Sequence, residues 1–220
     1  KKLSKQCNCT FFKSTEEVSG HPTLFFICVS DDAIDEIQQQ IKNTGATIIH
    51  CSGMHPMIPA KALLPHQHAG VFYPVQSFNK KPDAEWNKIP VCIEAGDRKT
   101  LLLLQRIARK FTGPQYQMDS STRAIVHLAA VFANNFSNAQ FAIAHQVLQM
   151  KNIPFDILKP LILRTSAKVQ TANPEDVQTG PAKRRDAKTI SAHKKLLKEQ
   201  PELGKIYADL TRFIERHFPD

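Results

Sequence analysis

The stretch Ser120 to Met150, SSTRAIVHLAAVFANNFSNAQFAIAHQVLQM, constrains the fold of this chain more than any other. No Gly or Pro falls between Pro114 and Pro154, and Asp119 or Ser120 can cap a helix that starts there, so the pattern predicts one helix of unusual length. At ~100° per residue, Phe132, Phe136, Ile143 and Met150 share one side and Val126, Ala130, Ala133 and Ala144 another. Little room is left for a solvated face, so the helix is expected to be buried. A narrow polar line interrupts it: His127, Asn134, Asn138 and His145 succeed one another at seven, four and seven residues. Buried imidazoles and carboxamides need partners. Either neighbouring backbone satisfies them, or they line a pocket.

The segment LFFICVSDDAIDEIQQQIKNTGATIIHCSG reads as strand, helix and parallel strand. Leu24 to Val29 is a continuous apolar run, as expected of a strand covered on both faces. Ser30, Asp31 and Asp32 then serve as loop and cap, and Ile34, Ile37 and Ile41 repeat at helical spacing within Ala33 to Lys42. Thr47 to Cys51 is a second buried strand, closed by Ser52 and Gly53. In open α/β sheets, ligands bind at the edge where such strands end. Around this unit, Lys1 to Cys9 reads as the end of a helix and Thr10 to Phe12 as a short strand. Gly70 to Tyr73, Val91 to Ala95 and Tyr116 to Met118 read as strands, and Asp97 to Phe111 as a helix. Past the long helix, Pro160 kinks or restarts a segment running to Val169. Thr171 to Lys188 is a polar loop, and Thr189 to Glu199 and Pro201 to His217 are closing helices.

The expected architecture is an α/β domain over residues 1–119 joined to an all-α domain over residues 120–220. The 220 residues show no run of eighteen apolar positions and no apolar leader, which favours the cytoplasm. Five cysteines, three of them in apolar strand-like runs, suit reduced and buried thiols. The net charge of +9 is concentrated in the first five residues and beyond Arg164, which suits a solvated face better than a nucleic-acid site. Lys183, Arg184, Arg185 and the lysines at 194, 195 and 198 lack the interleaved aromatics that nucleic-acid recognition uses. His50, His55, His66 and His68 are spaced too irregularly for a zinc site, and no metal is expected.

The runs CVSDDAI, IIHCSG, GVFYPVQSF, HLAAVFANNF and QTGPAKRRD, in this order, resemble Rossmann-like proteins that carry the C-terminal domain of unknown function DUF2520. Proteins of that family are provisionally described as NADP-dependent oxidoreductases, similar to pyrroline-5-carboxylate reductase and coenzyme-F420-dependent NADP reductases. The resemblance implies a Rossmann-like NAD(P)-binding domain followed by a helical domain that dimerises and helps bind substrate. Such proteins begin with a strand, a Gly-rich turn and a helix that hold the dinucleotide pyrophosphate. The eight glycines here, at 20, 45, 53, 70, 96, 113, 180 and 204, include no G-x-G. The Rossmann-like domain is therefore expected to be incomplete at its N-terminus, with the missing unit present in the native protein.

By position in the family, Ser30, Asp31, Asp32, His50, Ser52 and Gly53 are the implied cofactor-binding residues, for NADP with NAD as the alternative. As bare sequence they are caps and turns. Tyr73, Gln76, Ser77, Asn138, Thr179 and Gly180 are implied on the substrate side. His127 is the implied proton donor, and Asn134 the group that holds a carbonyl or imine. The expected function is hydride transfer to or from a small carbonyl, imine or hydroxy compound. A module that binds a nucleotide or metabolite without turnover is the alternative.

Overall fold

A computed structural model describes residues 2–18, 23–42, 45–78 and 85–218. Lys1, expected in the first helix, lies outside the described residues. Two compact units divide the chain, residues 1–137 and 138–220.

In the first unit, α1 (Lys2–Gln6) precedes β1 (Leu24–Ile27), α2 (Ile34–Gln40), β2 (Thr47–His50), β3 (His68–Pro74), β4 (Val91–Ala95), α3 (Arg98–Phe111), β5 (Gln115–Gln117) and α4 (Ser120–Ala130). The five strands form one sheet in the order β1-β2-β3-β4-β5. All neighbours are parallel except β3 and β4. The expected strand, helix, parallel strand unit is thus present, with Ile27 opposite His50 and His50 opposite Val71. Thr10 to Phe12, expected as a strand, is not one.

Successive residues of β2 face opposite ways, which is why its apolar run is unbroken. Ile48 packs with Ile27, Ile34, Ile41, Ile58 and Ala69, whereas Ile49 packs with Phe72, Val91, Ile93, Leu104 and Ala108. The first set brings in α2 and the second α3. Asp97 starts α3 by accepting hydrogen bonds from the Thr100 backbone N–H and hydroxyl at 2.9 and 2.8 Å. Among the described residues β1 has β2 as its sheet neighbour, and Phe26 and Val29 are exposed. Phe26 still meets Phe72 edge to face, with ring centroids 6.0 Å apart. All five cysteines are free thiols, as expected, and Cys92 is buried, Cys51 half-buried and the others exposed among the described residues.

The long helix is neither uniform nor buried. Between α4 and α5 (Ser137–Gln149), residues Val131–Phe136 wind as a π-helix. Its wider turn carries extra backbone per revolution, so positions beyond it leave the line that ideal α spacing draws. The Ser137 hydroxyl donates to the Phe132 carbonyl five residues back at 3.3 Å, a bond that suits the wider turn. The chain covers few of the apolar residues here: Phe132 is 61% exposed and Ile125 66%.

The second unit holds α5 together with α6 (Lys159–Lys168), α7 (Pro174–Val177), α8 (Ala187–Leu196) and α9 (Pro201–His217). Pro160 sits in the first turn of α6, where its missing N–H costs nothing, so it starts the helix and does not kink it. The polar loop contains one helical turn, α7, that turn-forming composition concealed. Asp186 caps α8, and α8 joins α9 through a 2.9 Å bond between His193 Nδ1 and the Tyr207 hydroxyl. No helix of the described residues is long and apolar enough to cross a membrane.

Candidate functional site

Tyr73 lies near the end of β3, where strand alternation turns it, with Val71, toward Cys92 and Val126 of α4. Its ring is buried, and its hydroxyl lies 3.1 Å from Nδ1 of His127, the residue after Val126 on α4. Burial, with the Cys92 thiol adding to it, raises the Tyr73 phenol above its ordinary range, so the group stays protonated at neutral pH. Gly53 completes the contact. A Cβ at this position would lie 2.5 Å from His127 Nδ1, so only glycine lets the turn after β2 approach the imidazole this closely.

A cavity of about 410 Å³ opens beside this pair. Tyr73, Gln76, Ser77, His127 and Asn134 supply its polar lining, and Val75, Ala130 and Ala133 its apolar one. His127 and Asn134 of the expected polar line are therefore brought together. Asn138 and His145 are not among the lining residues. Asn138 is exposed, and His145 Nε2 meets the Gln149 amide at 3.2 Å. Thr179 and Gly180 lie in the second unit, where the Thr179 carbonyl accepts from the Gln178 amide at 2.8 Å.

The ends of β1 and β2 lie side by side, as expected of an edge that takes ligands. Ser30 precedes a 3-10 turn of Asp31–Ala33, and all three of Ser30, Asp31 and Asp32 are exposed. The Ser52 hydroxyl accepts from the backbone N–H groups of Met54 and His55 at 3.0 and 2.8 Å, which fixes the turn holding Gly53. His50 ends β2. Its ring is fully buried, Nδ1 accepts from the Ser52 N–H at 3.3 Å, and Nε2 donates to the Pro56 carbonyl at 3.2 Å. Neither nitrogen is left for a ligand. Burial, aided by the Arg123 charge, lowers His50 to about 4, so it is a neutral brace of the turn.

Sequence reasoning missed the group that holds these parts together. Arg123 is completely buried in α4, four residues before His127. Its guanidinium pairs with Glu94 of β4 and donates to the His55 carbonyl at 2.6 Å. Ser120 donates to the same carboxylate at 2.8 Å, and its oxygen accepts from the Met57 N–H at 2.9 Å. One network thus ties α4 to β4 and to the turn after β2. The available signal was an arginine at i−4 from a histidine on one helix, a spacing that sets both on one face.

The ends of β1 and β2 present small polar residues, and Gly53 stands beside His127. Nothing among the 220 residues has the G-x-G turn that would hold a dinucleotide pyrophosphate. Among the described residues, no group of three His, Cys, Asp or Glu side chains is placed to hold a metal ion.

Family and structural comparisons bear on this arrangement. The domain of unknown function DUF2520 matches residues 89–214. A Bacteroides fragilis protein, provisionally named an NADP oxidoreductase, is 34% identical, and the match covers 97% of this chain and 83% of that one with a TM-score of 0.88. An imine reductase from Myxococcus stipitatus, solved with NADP+, is 11% identical over 100% of this chain and 84% of its own, with a TM-score of 0.62. A reductive aminase from Aspergillus terreus, solved with NADPH and ethyl levulinate, is 14% identical over 90% and 76%, with a TM-score of 0.61. At such identities the last two show a shared fold alone. No curated protein matches the chain. The match over more than half its length and the identity to the Bacteroides protein establish that the chain belongs to the DUF2520 family.

Proposed function

We propose that the protein is an NADP-dependent oxidoreductase acting on a small carbonyl, imine or hydroxy compound. The observation that carries this reading is the Tyr73–His127 pair opening onto a cavity beside Gly53. The provisional name of the Bacteroides relative and the NADP(H) bound by the more distant reductases support it. A bound nicotinamide would supply or accept the hydride. Ser30, Asp31, Asp32, Ser52 and Gly53 are assigned to its side of the site.

The chain's own residues handle the proton and the substrate. When the Tyr73 hydroxyl donates to Nδ1, the ring proton of His127 is held at Nε2, available for the developing alkoxide or amine. Tyr73 is suited to this because a phenol is protonated at neutral pH and burial shifts it further in that direction. Asn134 can hold the reacting carbonyl or imine without titrating, and Gln76 and Ser77 bound the cavity on the side of β3. Val75, Ala130 and Ala133 leave room for a small apolar body.

The helical region over residues 120–220 is assigned to pairing two copies. Phe141, Met150, Leu161, Leu163 and Phe213 are each at least a third exposed, apolar groups that a second copy could cover. A two-fold pairing is the commonest way to cover such a surface, and an obligate one would bury at least ~2,000 Å².

The test is titration of the complete protein, with the N-terminal Gly-rich unit that the family resemblance implies, against NADPH and NADH, followed by a screen of cyclic imines, ketones and hydroxy compounds for loss of reduced-nicotinamide absorbance. Saturable NADPH binding with turnover is expected. Binding without turnover of any compound would favour a sensing module, and absence of binding would overturn the proposal. Light scattering at micromolar concentration should give twice the chain mass.

A further inference from the structure

Two thiols stand beside the proposed cofactor edge without a part in the reaction. Cys28 directly follows β1 and Cys51 directly follows β2, so the pairing of Ile27 with His50 sets them next to each other. Their sulfurs lie 3.8 Å apart. Adjacent strands run ~4.8 Å apart, within the ~4.4–6.8 Å between Cα atoms that a disulfide accepts. Bringing the sulfurs to ~2.05 Å is therefore a matter of side-chain movement and not of unfolding.

We infer that Cys28 and Cys51 form a peroxide-responsive disulfide that joins the ends of β1 and β2. The roles of the two thiols differ. Cys28 is exposed, and the hydrogen bond from Cys51 lowers it to about 7, whereas that same bond and then burial push Cys51 up. Cys28 is thus the thiolate that meets oxidant. It attacks one oxygen of hydrogen peroxide; the O–O bond breaks, hydroxide leaves and takes up a proton as water, and Cys28 becomes a sulfenic acid. Cys51 then attacks the Cys28 sulfur, the S–O bond breaks, and a second water leaves. The two thiols lose two electrons and two protons, and the peroxide is reduced to two waters. The bridge lies beside Ser30 and Ser52, so the oxidised protein binds NADPH more weakly, a part that rests on the proposed cofactor site.

The whole chain, reduced and then treated with hydrogen peroxide, is alkylated and cut after lysine. Cleavage at Lys13, Lys42 and Lys61 places Cys28 and Cys51 on separate peptides and Cys7 with Cys9 on a third. The expected product is a peptide linking Cys28 to Cys51, lighter than its parts by two hydrogens and released by dithiothreitol. In Cys51→Ser the link should vanish and Cys28 should be captured by dimedone as the sulfenic acid. Full alkylation of both cysteines after peroxide, or linkage of Cys28 to Cys7 or Cys9 instead, would overturn the inference. NADPH titration of both redox forms tests the second part. Equal affinity with the bridge formed overturns the effect on binding, while failure of the reduced protein to bind NADPH counts against the cofactor reading and leaves the bridge to the mass measurement.

Discussion

Replacing Gly53 with alanine places a methyl group where the structure has no room for one. The new Cβ would lie 2.5 Å from Nδ1, 2.8 Å from Cγ and 2.9 Å from Cβ of His127. Carbon contacts settle at ~3.5–4.0 Å, so about an ångström is missing at the ring and somewhat less at Cβ. Rotating the imidazole relieves the first two contacts. The third involves an atom fixed to the α4 backbone, so either the turn or the helix must shift. Overpacking of this kind costs about 1–3 kcal/mol, offset by about 0.4–1 kcal/mol from the stiffer unfolded chain. The offset applies because Gly53 is not among the glycines with positive φ. The net loss of roughly 0–2.6 kcal/mol corresponds to a melting temperature lower by up to about 10 °C. Activity should suffer more than stability, since the same displacement disturbs the 3.1 Å bond from Tyr73 and a ~1 Å misplacement can cost ~100-fold in rate. Thermal melting and NADPH turnover, measured side by side, read both effects. Full turnover with an unchanged melting curve would refute the reasoning, because it would mean that His127 yields freely and that its close fit against Gly53 has no role.

Tyr73→Phe should keep NADPH affinity and lose about 0.5–1.5 kcal/mol of stability with its hydrogen bond, while turnover falls; His127→Ala should lower turnover further, and unchanged rates in both would return the pair to simple packing. Glu94→Ala should lower stability by about 3–5 kcal/mol in urea titration, because it leaves Arg123 buried without a counter-ion; a loss below about 1 kcal/mol would show that the guanidinium finds water instead. His50 is lowered to about 4 from an ordinary value near 6.5, so the unfolded chain binds its proton first, and stability should fall as pH drops from about 6.5 to about 4, by roughly 3 kcal/mol in all. An NMR titration in which His50 protonates near pH 6.5 without loss of structure would contradict this.

Much of the sheet was legible because its signals are local. The apolar run of Thr47–His50, the helical spacing of Ile34, Ile37 and Ile41, and the cap residue Asp119 each announce themselves within a few positions. The π turn was hidden. VFANNF has the composition of an ordinary helix, and the bond from Ser137 to Phe132 shows only in three dimensions. Family resemblance pointed to Tyr73 and His127 separately, but their hydrogen bond spans 54 positions and no periodicity encodes it. The strand-end place of His50 was legible, but not the burial that gives its two nitrogens to Ser52 and Pro56.

The Arg123 network also bears on when the cavity comes into being. Arg123 joins residues 68 and 29 positions away in the chain, at His55 and Glu94. Loop closure over such distances costs chain entropy before any contact rewards it, and contacts of long sequence separation slow the folding of small domains. Turn, strand and helix taken singly contain no cavity. His127 meets Tyr73 and Gly53 only after all three segments have closed around the guanidinium, so site and fold should appear in the same cooperative step. Fragments that end before Arg123 should therefore show no residual fraction of the activity, and refolding followed through Tyr73 should keep pace with recovery of turnover.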